Sequence, residues 1–183
     1  MPNRLVLRDA RDDERAAMRE LTLAAYAEYA AVMEPPAWAG LRGALEAALG
    51  RESPAERIVA EHGGALVGSV MLFPPAAEDY GGAADAAPWP ELRLLAVHPD
   101  ARGLGVGQAL VGECVRRARA AGAASLGLHS SRSMRAALRM YERMGFVRAP
   151  EYDFHPDGAE VVWAYRLGLN GDGDGDRDDG GGG

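Results

Sequence analysis

Apolar and polar positions change their period several times along the chain, and each change marks an element. Arg4 to Arg8 alternate, which predicts a strand. Asp12, Asp13 and Glu14 then supply the acidic first turn that a helix N-terminus favours. From there Met18, Leu21, Ala25, Tyr29 and Val32 recur at helical spacing, predicting a helix to about Met33 that Pro35-Pro36 ends. Trp38, Leu41, Leu45 and Leu49 repeat the pattern in a second helix, with Gly50 placed to cap it. Arg57 to His62 and Ala65 to Phe73 read as two strands, joined through Gly63-Gly64 because glycine tolerates the positive φ of a tight hairpin.

The periodicity stops between Pro74 and Pro90, a loop of Pro, Gly, Ala and acids long enough to carry function. It resumes with a strand from Glu91 to Val97, a helix after Gly103 to about Ala121, a strand from Ser125 to Ser130 and a helix from Met134 to Met144. Phe146 to Phe154 and Val161 to Leu169 are predicted as final strands around the turn-rich His155-Pro156-Asp157-Gly158. The order is that of a mixed α/β sheet in one domain, residues 1–169. Residues 170–183 hold no apolar side chain to offset their ordering entropy and are expected to be a disordered Gly/Asp-rich tail.

Length and composition narrow the chemistry. A chain of 183 residues fits one domain, and no run of apolar residues has the length of a membrane span. The N-terminus lacks the apolar stretch of a signal peptide, so a cytoplasmic location and no membrane partner are expected. The net charge is -7. The last 14 residues hold five Asp and one Arg, so -4 of it belongs to the tail and -3 to the body. A mildly acidic body argues against nucleic acid as a partner. All 20 basic residues are Arg, which removes Schiff-base chemistry and the lysine-dependent phosphate loop. Cys114, the lone cysteine, sits on the apolar face of its helix and is expected to be a buried core thiol. His62, His98, His129 and His155 are scattered without ligand spacing, so no metal site is expected.

The segment that carries chemistry is Val97-HPDARGLGVGQAL, where a strand enters a glycine-rich turn that opens a helix. Gly103, Gly105 and Gly107 let backbone N–H groups approach an anion at the positive helix end. The dinucleotide fingerprint fails, since Gln108 or Leu110 stands where its third small residue belongs. Arg102-Gly-Leu-Gly-Val-Gly107 after a Leu-x-Val strand resembles the pyrophosphate-binding motif of the GNAT superfamily of acetyl-CoA-dependent N-acetyltransferases. Ala136-ALRMYERMGF146 is similar to that family's C-terminal helix, with its tyrosine and closing Gly-Phe turn.

The resemblance covers all but the tail and implies a mostly antiparallel sheet of about seven strands with about four helices. It implies acetyl-CoA as acetyl donor, its pantetheine arm pairing with the backbone of Leu95, Ala96 and Val97. Arg102 and the amides of Gly103, Leu104, Gly105, Val106, Gly107 and Gln108 would hold the pyrophosphate. Met134 stands where the family often has Asn, which removes a side-chain hydrogen bond to the arm and leaves an apolar contact. A backbone N–H from Val97 or its neighbour would stabilise the oxyanion, Tyr141 would protonate the thiolate, and Glu91 would take the amine's proton directly or through water.

Tyr26, Tyr29, Glu34 and Trp38 on the first two helices, with Glu78, Asp79, Tyr80, Asp85 and Trp89 of the long loop, are candidate acceptor contacts. Acids and aromatics suit a cationic amine, and Tyr29 and Trp38 equally suit a helix core face. A small-molecule primary amine is the expected acceptor, with a protein N-terminus or side chain as the alternative. A noncatalytic acyl-CoA sensor is the competing class, and a homodimer is left open.

Overall fold

The computed structural model describes residues 4–77, 87–156 and 160–170. Seven strands form one sheet: β1 (Leu5–Asp9), β2 (Glu56–His62), β3 (Ala65–Phe73), β4 (Glu91–Val97), β5 (Ser125–Ser131), β6 (Val147–Arg148) and β7 (Val162–Gly168). Their spatial order is β1-β2-β3-β4-β5-β7-β6. Four helices accompany them: α1 (Arg15–Tyr26), α2 (Pro35–Gly50), α3 (Val106–Ala120) and α4 (Arg135–Arg143). The expected mixed, mostly antiparallel architecture holds. Among the described residues only β4 and β5 run parallel, and they pair at the single register Glu91↔Gly127 before parting.

Side-chain alternation divides the two faces of the sheet. Leu92, Leu95 and Val97 of β4 join Val70, Leu72, Leu126 and Leu128 in the core beneath α3 and α4, with Leu110, Val111 and Cys114 fully buried. Ala96 faces the other way, against Leu21 and Ala25 of α1. Full burial of each Val or Leu contributes about 1.5–3 kcal/mol, so α3 is the chief anchor of the sheet. Gly68 of β3 is what lets it sit so close: a Cβ there would stand 2.6 Å from Val106 Cγ1 and 2.9 Å from Leu110 Cδ1. The N-terminus of α3 is thereby fixed over β3 and β4.

Several boundaries differ from the sequence reading, each for a local reason. The first helix stops at Tyr26 and continues as a 3-10 turn, Ala27–Ala31, so Tyr29 is half-buried and Val32 is 65% exposed rather than core. Pro35 and Pro36 open α2 instead of ending α1, because proline suits the first helical turn. Gly50 is the last helical residue, and Arg51 is the cap. Asp12–Glu14 form a separate 3-10 turn, with Glu14 buried against Arg8 at 2.8 Å. The strand expected from Phe146 to Phe154 shrinks to β6, since Pro150 starts a 3-10 turn and only an isolated bridge, Phe154↔Val162, follows. The Gly63-Gly64 hairpin forms as expected, both residues at positive φ, and Cys114 is buried. The expected tail, beyond Asn170, lies outside the described residues.

Candidate active site

β4 departs from regular extension at Leu94, whose φ of +56° is unusual for a residue with a branched side chain. The register against β3 shifts at the same place, between Ser69↔Ala96 and Met71↔Arg93, which makes this a bulge. Beyond it, His98 donates its N–H to Val67 O at 2.8 Å. Because consecutive amides of a strand point to opposite edges, Ala96 directs its backbone groups at β3 and Val97 directs its own toward β5. β5 has already diverged there, so Val97 presents an amide and a carbonyl to a gap between the strands.

The glycine-rich turn stands at the end of that gap. Gly103 and Gly105 both have positive φ, and Gly105 occupies the N-cap of α3 with no side-chain cap. The first amides of the helix, on Val106, Gly107 and Gln108, therefore point outward without a side-chain acceptor from the cap, an arrangement suited to a phosphate. Leu104 and Gln108 are exposed at the rim. Gly107 lines the groove between α3 and α4: its absent Cβ would meet Met140 Sδ at 3.4 Å and Val97 Cγ2 at 3.5 Å. Arg102 is tethered, its guanidinium ion-paired with Glu28 and donating to Ala25 O at 3.2 Å. To reach a phosphate it must exchange Glu28 for the ligand.

α4 brings Tyr141 to the same region. Its ring is 5% exposed and meets Phe146 edge-on at 5.8 Å. Burial, aided by the nearby Tyr26, Tyr29 and Cys114, holds its hydroxyl well above the ordinary tyrosine range, so it is a protonated donor at neutral pH. Tyr26 and Tyr29 pack edge-on at 5.7 Å, and burial raises both. Met134, at the N-cap of α4, provides no cap and accepts from Ser130 Oγ through its sulfur at 3.5 Å. Burial raises the Cys114 thiol to about 12, which makes it inert.

Glu91 lies on the opposite face, at the one register where β4 and β5 pair. It is 3% exposed. Oε2 accepts from Arg93 at 2.9 Å, and Oε1 stands 3.1 Å from His129 Nδ1, within ion-pair reach. Burial pulls the carboxyl upward, yet His129 and Arg93 together outweigh it and hold it below the usual glutamate range. His129 Nε2 contacts Tyr152 O at 2.9 Å, and its ring meets Phe154 edge-on. Arg93 also lies 4.2 Å over the Phe73 ring.

Of the acceptor candidates, Tyr29 reaches the surroundings of Tyr141, whereas Glu34 is an exposed N-cap and Trp38 is half-buried on α2. Trp89 covers Gly127, with its Nε1 2.2 Å from where a Cβ would be, and stacks edge-on with Tyr152. Glu78, Asp79, Tyr80 and Asp85 lie outside the described residues. Sequence reasoning missed His129 and Arg93. The alternation of Ser125 to Ser131 places His129 on one face with Gly127, but its partner Glu91 depends on the register of two distant strands.

Among the described residues no group of histidine, cysteine and acids could hold a metal, and no helix is long and apolar enough to cross a membrane. The sequence matches the model of the Acetyltransferase (GNAT) family over residues 15–146. No curated protein matches it. Among solved structures, a GCN5-related N-acetyltransferase from Rhodopseudomonas palustris is 21% identical with a TM-score of 0.69, covering 92% of this chain and 99% of its own. A GNAT-family acetyltransferase from Staphylococcus aureus is 15% identical with a TM-score of 0.64, covering 91% of this chain and 99% of its own. One from Brucella melitensis, solved with acetyl-CoA, is 22% identical with a TM-score of 0.57, covering 92% and 90%. With the family match spanning well over half its length, the chain belongs to the GNAT family of acetyltransferases.

Proposed function

We propose that the protein transfers the acetyl group of acetyl-CoA to a primary amine on a small molecule, by direct attack within a ternary complex. The observation that carries the reading is the gap between β4 and β5, bordered by the uncapped amides of α3 at one end and by α4 with Tyr141 beside it. The Brucella relative was solved with acetyl-CoA, which supports the same donor here. The amides from Gly103 to Gln108 would take the pyrophosphate, with Arg102 released from Glu28. Leu95 and Val97 would pair with the pantetheine arm, and Ala96 and Met134 would supply apolar wall.

The chemistry divides among this chain's residues. The Val97 N–H, fixed by the strand and turned into the gap, offers an oxyanion donor, a contribution of roughly 3 kcal/mol to the barrier. Tyr141 donates a proton as the C–S bond breaks and the C–N bond forms. Glu91, ionised because Arg93 and His129 hold its pKa down, accepts the amine's proton through water. Its low basicity makes it a weak base, so the acceptor must arrive close to neutral. Tyr29, Glu34 and Trp38 border the acceptor's approach.

The test is release of free thiol from acetyl-CoA against a panel of amines. Acceptor-dependent release is expected. Saturable acetyl-CoA binding with no release for any amine would favour the sensor reading, and release only with peptides would move the acceptor to protein.

A further inference from the structure

A cleft of about 800 Å³ opens on the outer side of α4, away from α3. Arg135, Leu138, Arg139 and Glu142 line it from one stripe of the helix, at the spacing that keeps residues on a single face. Trp163 of β7 forms its floor, Val32 borders it just after the 3-10 turn, and Glu160 with Arg132 and Ser133 forms the rim. Glu160 is already satisfied: it pairs with Arg132 at 2.6 Å and accepts from Ser133 Oγ at 2.7 Å and from Ser131. Glu142 is the remaining acid on the cleft wall. Arg135 and Arg139 have no ion-pair partner among the described residues, where ten other arginines are paired.

The cleft therefore carries a surplus of positive charge beside an apolar patch. Its position next to the reaction centre follows from two short connections. Leu138 precedes Tyr141 by one turn of α4, about 4.5 Å of rise. Val32 donates its N–H to the carbonyl of Tyr29, whose hydroxyl is close enough to Tyr141 to act on it electrostatically. With Trp163, Leu138 and Val32 lining it beside Arg135 and Arg139, the cleft offers apolar and cationic surface together, which suits a ligand with both an apolar and an anionic part. Guanidinium groups one helical turn apart suit a carboxylate, which each can hold through paired N–H donors.

We propose that this cleft binds the acyl acceptor through a carboxylate, held by Arg135 and Arg139, with the acceptor's apolar portion against Trp163, Leu138 and Val32. The acceptor is thus an amino-acid-like molecule whose amine points toward Tyr141. This rests on the acetyl-transfer reading. The other anion that could use the two arginines is a phosphate of the donor, and the experiment separates the sources.

The full chain and the Arg135→Gln/Arg139→Gln double variant are assayed for thiol release with the common amino acids, each offered as the free acid and as its carboxamide. At least one acid is expected to exceed its own amide by about ten- to hundredfold in kcat/KM, the worth of a charge-assisted hydrogen bond. The double variant should lose that preference while the amide rate and the KM for acetyl-CoA hold. Absence of any acid-over-amide preference overturns the proposal, and so does a raised KM for acetyl-CoA in the variant, which would assign the arginines to the donor. If no amine of any kind releases thiol, the acetyl-transfer reading fails. Saturation-transfer NMR of the same acids and amides without donor then decides the cleft by itself: acid-selective binding lost in the variant supports it, and equal binding overturns it.

Discussion

Replacing Tyr141 with Phe isolates the proton donor from the packing residue. The ring is buried and packed on Phe146, and no hydrogen bond to the hydroxyl is found among the described residues, so its removal leaves no partner unsatisfied. Stability should change by less than about 1 kcal/mol. Loss of a general acid typically costs 10²- to 10⁴-fold. A thiolate, from a thiol of pKa near 8.5, needs less help to leave than an alkoxide does, which favours the low end. The expected loss in kcat is therefore about a hundredfold, roughly 2.7 kcal/mol of barrier. Steady-state thiol release should show this loss with KM for acetyl-CoA and melting temperature nearly unchanged. Because burial holds the hydroxyl well above its ordinary range, the wild-type rate should also show no fall from Tyr141 ionising between pH 7 and 10. A kcat within threefold of wild type, or a loss appearing equally in donor affinity, would refute the assignment.

Two further substitutions test what holds the site in place. Gly68→Ala would set a Cβ 2.6 Å from Val106 and 3.2 Å from the Ala96 carbonyl, lifting the start of α3 from the sheet; urea denaturation should show a loss of about 1–3 kcal/mol, and wild-type stability would mean that α3 is not seated there. Glu91→Gln should cost about 3 kcal/mol at pH 7 by leaving Arg93 and His129 without their acid. Its folded pKa is lowered, so the carboxylate's contribution is present above the unfolded value and is lost as pH falls through the folded one. The gap between wild type and variant should accordingly shrink below about pH 4, and a gap that widens there would contradict the ion pair.

The order of elements was legible because period and glycine placement are local properties. Leu-rich alternation and helical spacing identified all seven strands and four helices, and Gly63-Gly64 identified the hairpin. Boundaries failed where two local rules competed. Tyr29 and Val32 keep helical spacing after Tyr26, but Glu34 precedes a proline and is pushed to extended backbone, so the chain must leave the helix before it. Phe146 to Phe154 has strand composition, yet Pro150 has no N–H to donate to a ladder, and the strand ends after two residues.

The glycine-rich turn to which the proposal assigns the donor was legible as a turn, because glycine announces where backbone must be bare. The bulge at Leu94 carries no such signal, since nothing about leucine foretells a positive φ. Charge misleads more. Counting acids near the cleft suggests attraction for a cationic amine, but the fold spends those acids on arginines: Glu28 on Arg102, Glu91 on Arg93 and His129, Glu160 on Arg132. What a ligand meets is the remainder, and on the outer side of α4 the remainder is Arg135 and Arg139 against the single acid Glu142. The sign of an approach surface is set by which charges stay unpaired after folding, and pairs formed across strands and loops cannot be counted from composition. A body with a net charge of -3 can thus hold a cleft whose unpaired charge is mostly positive.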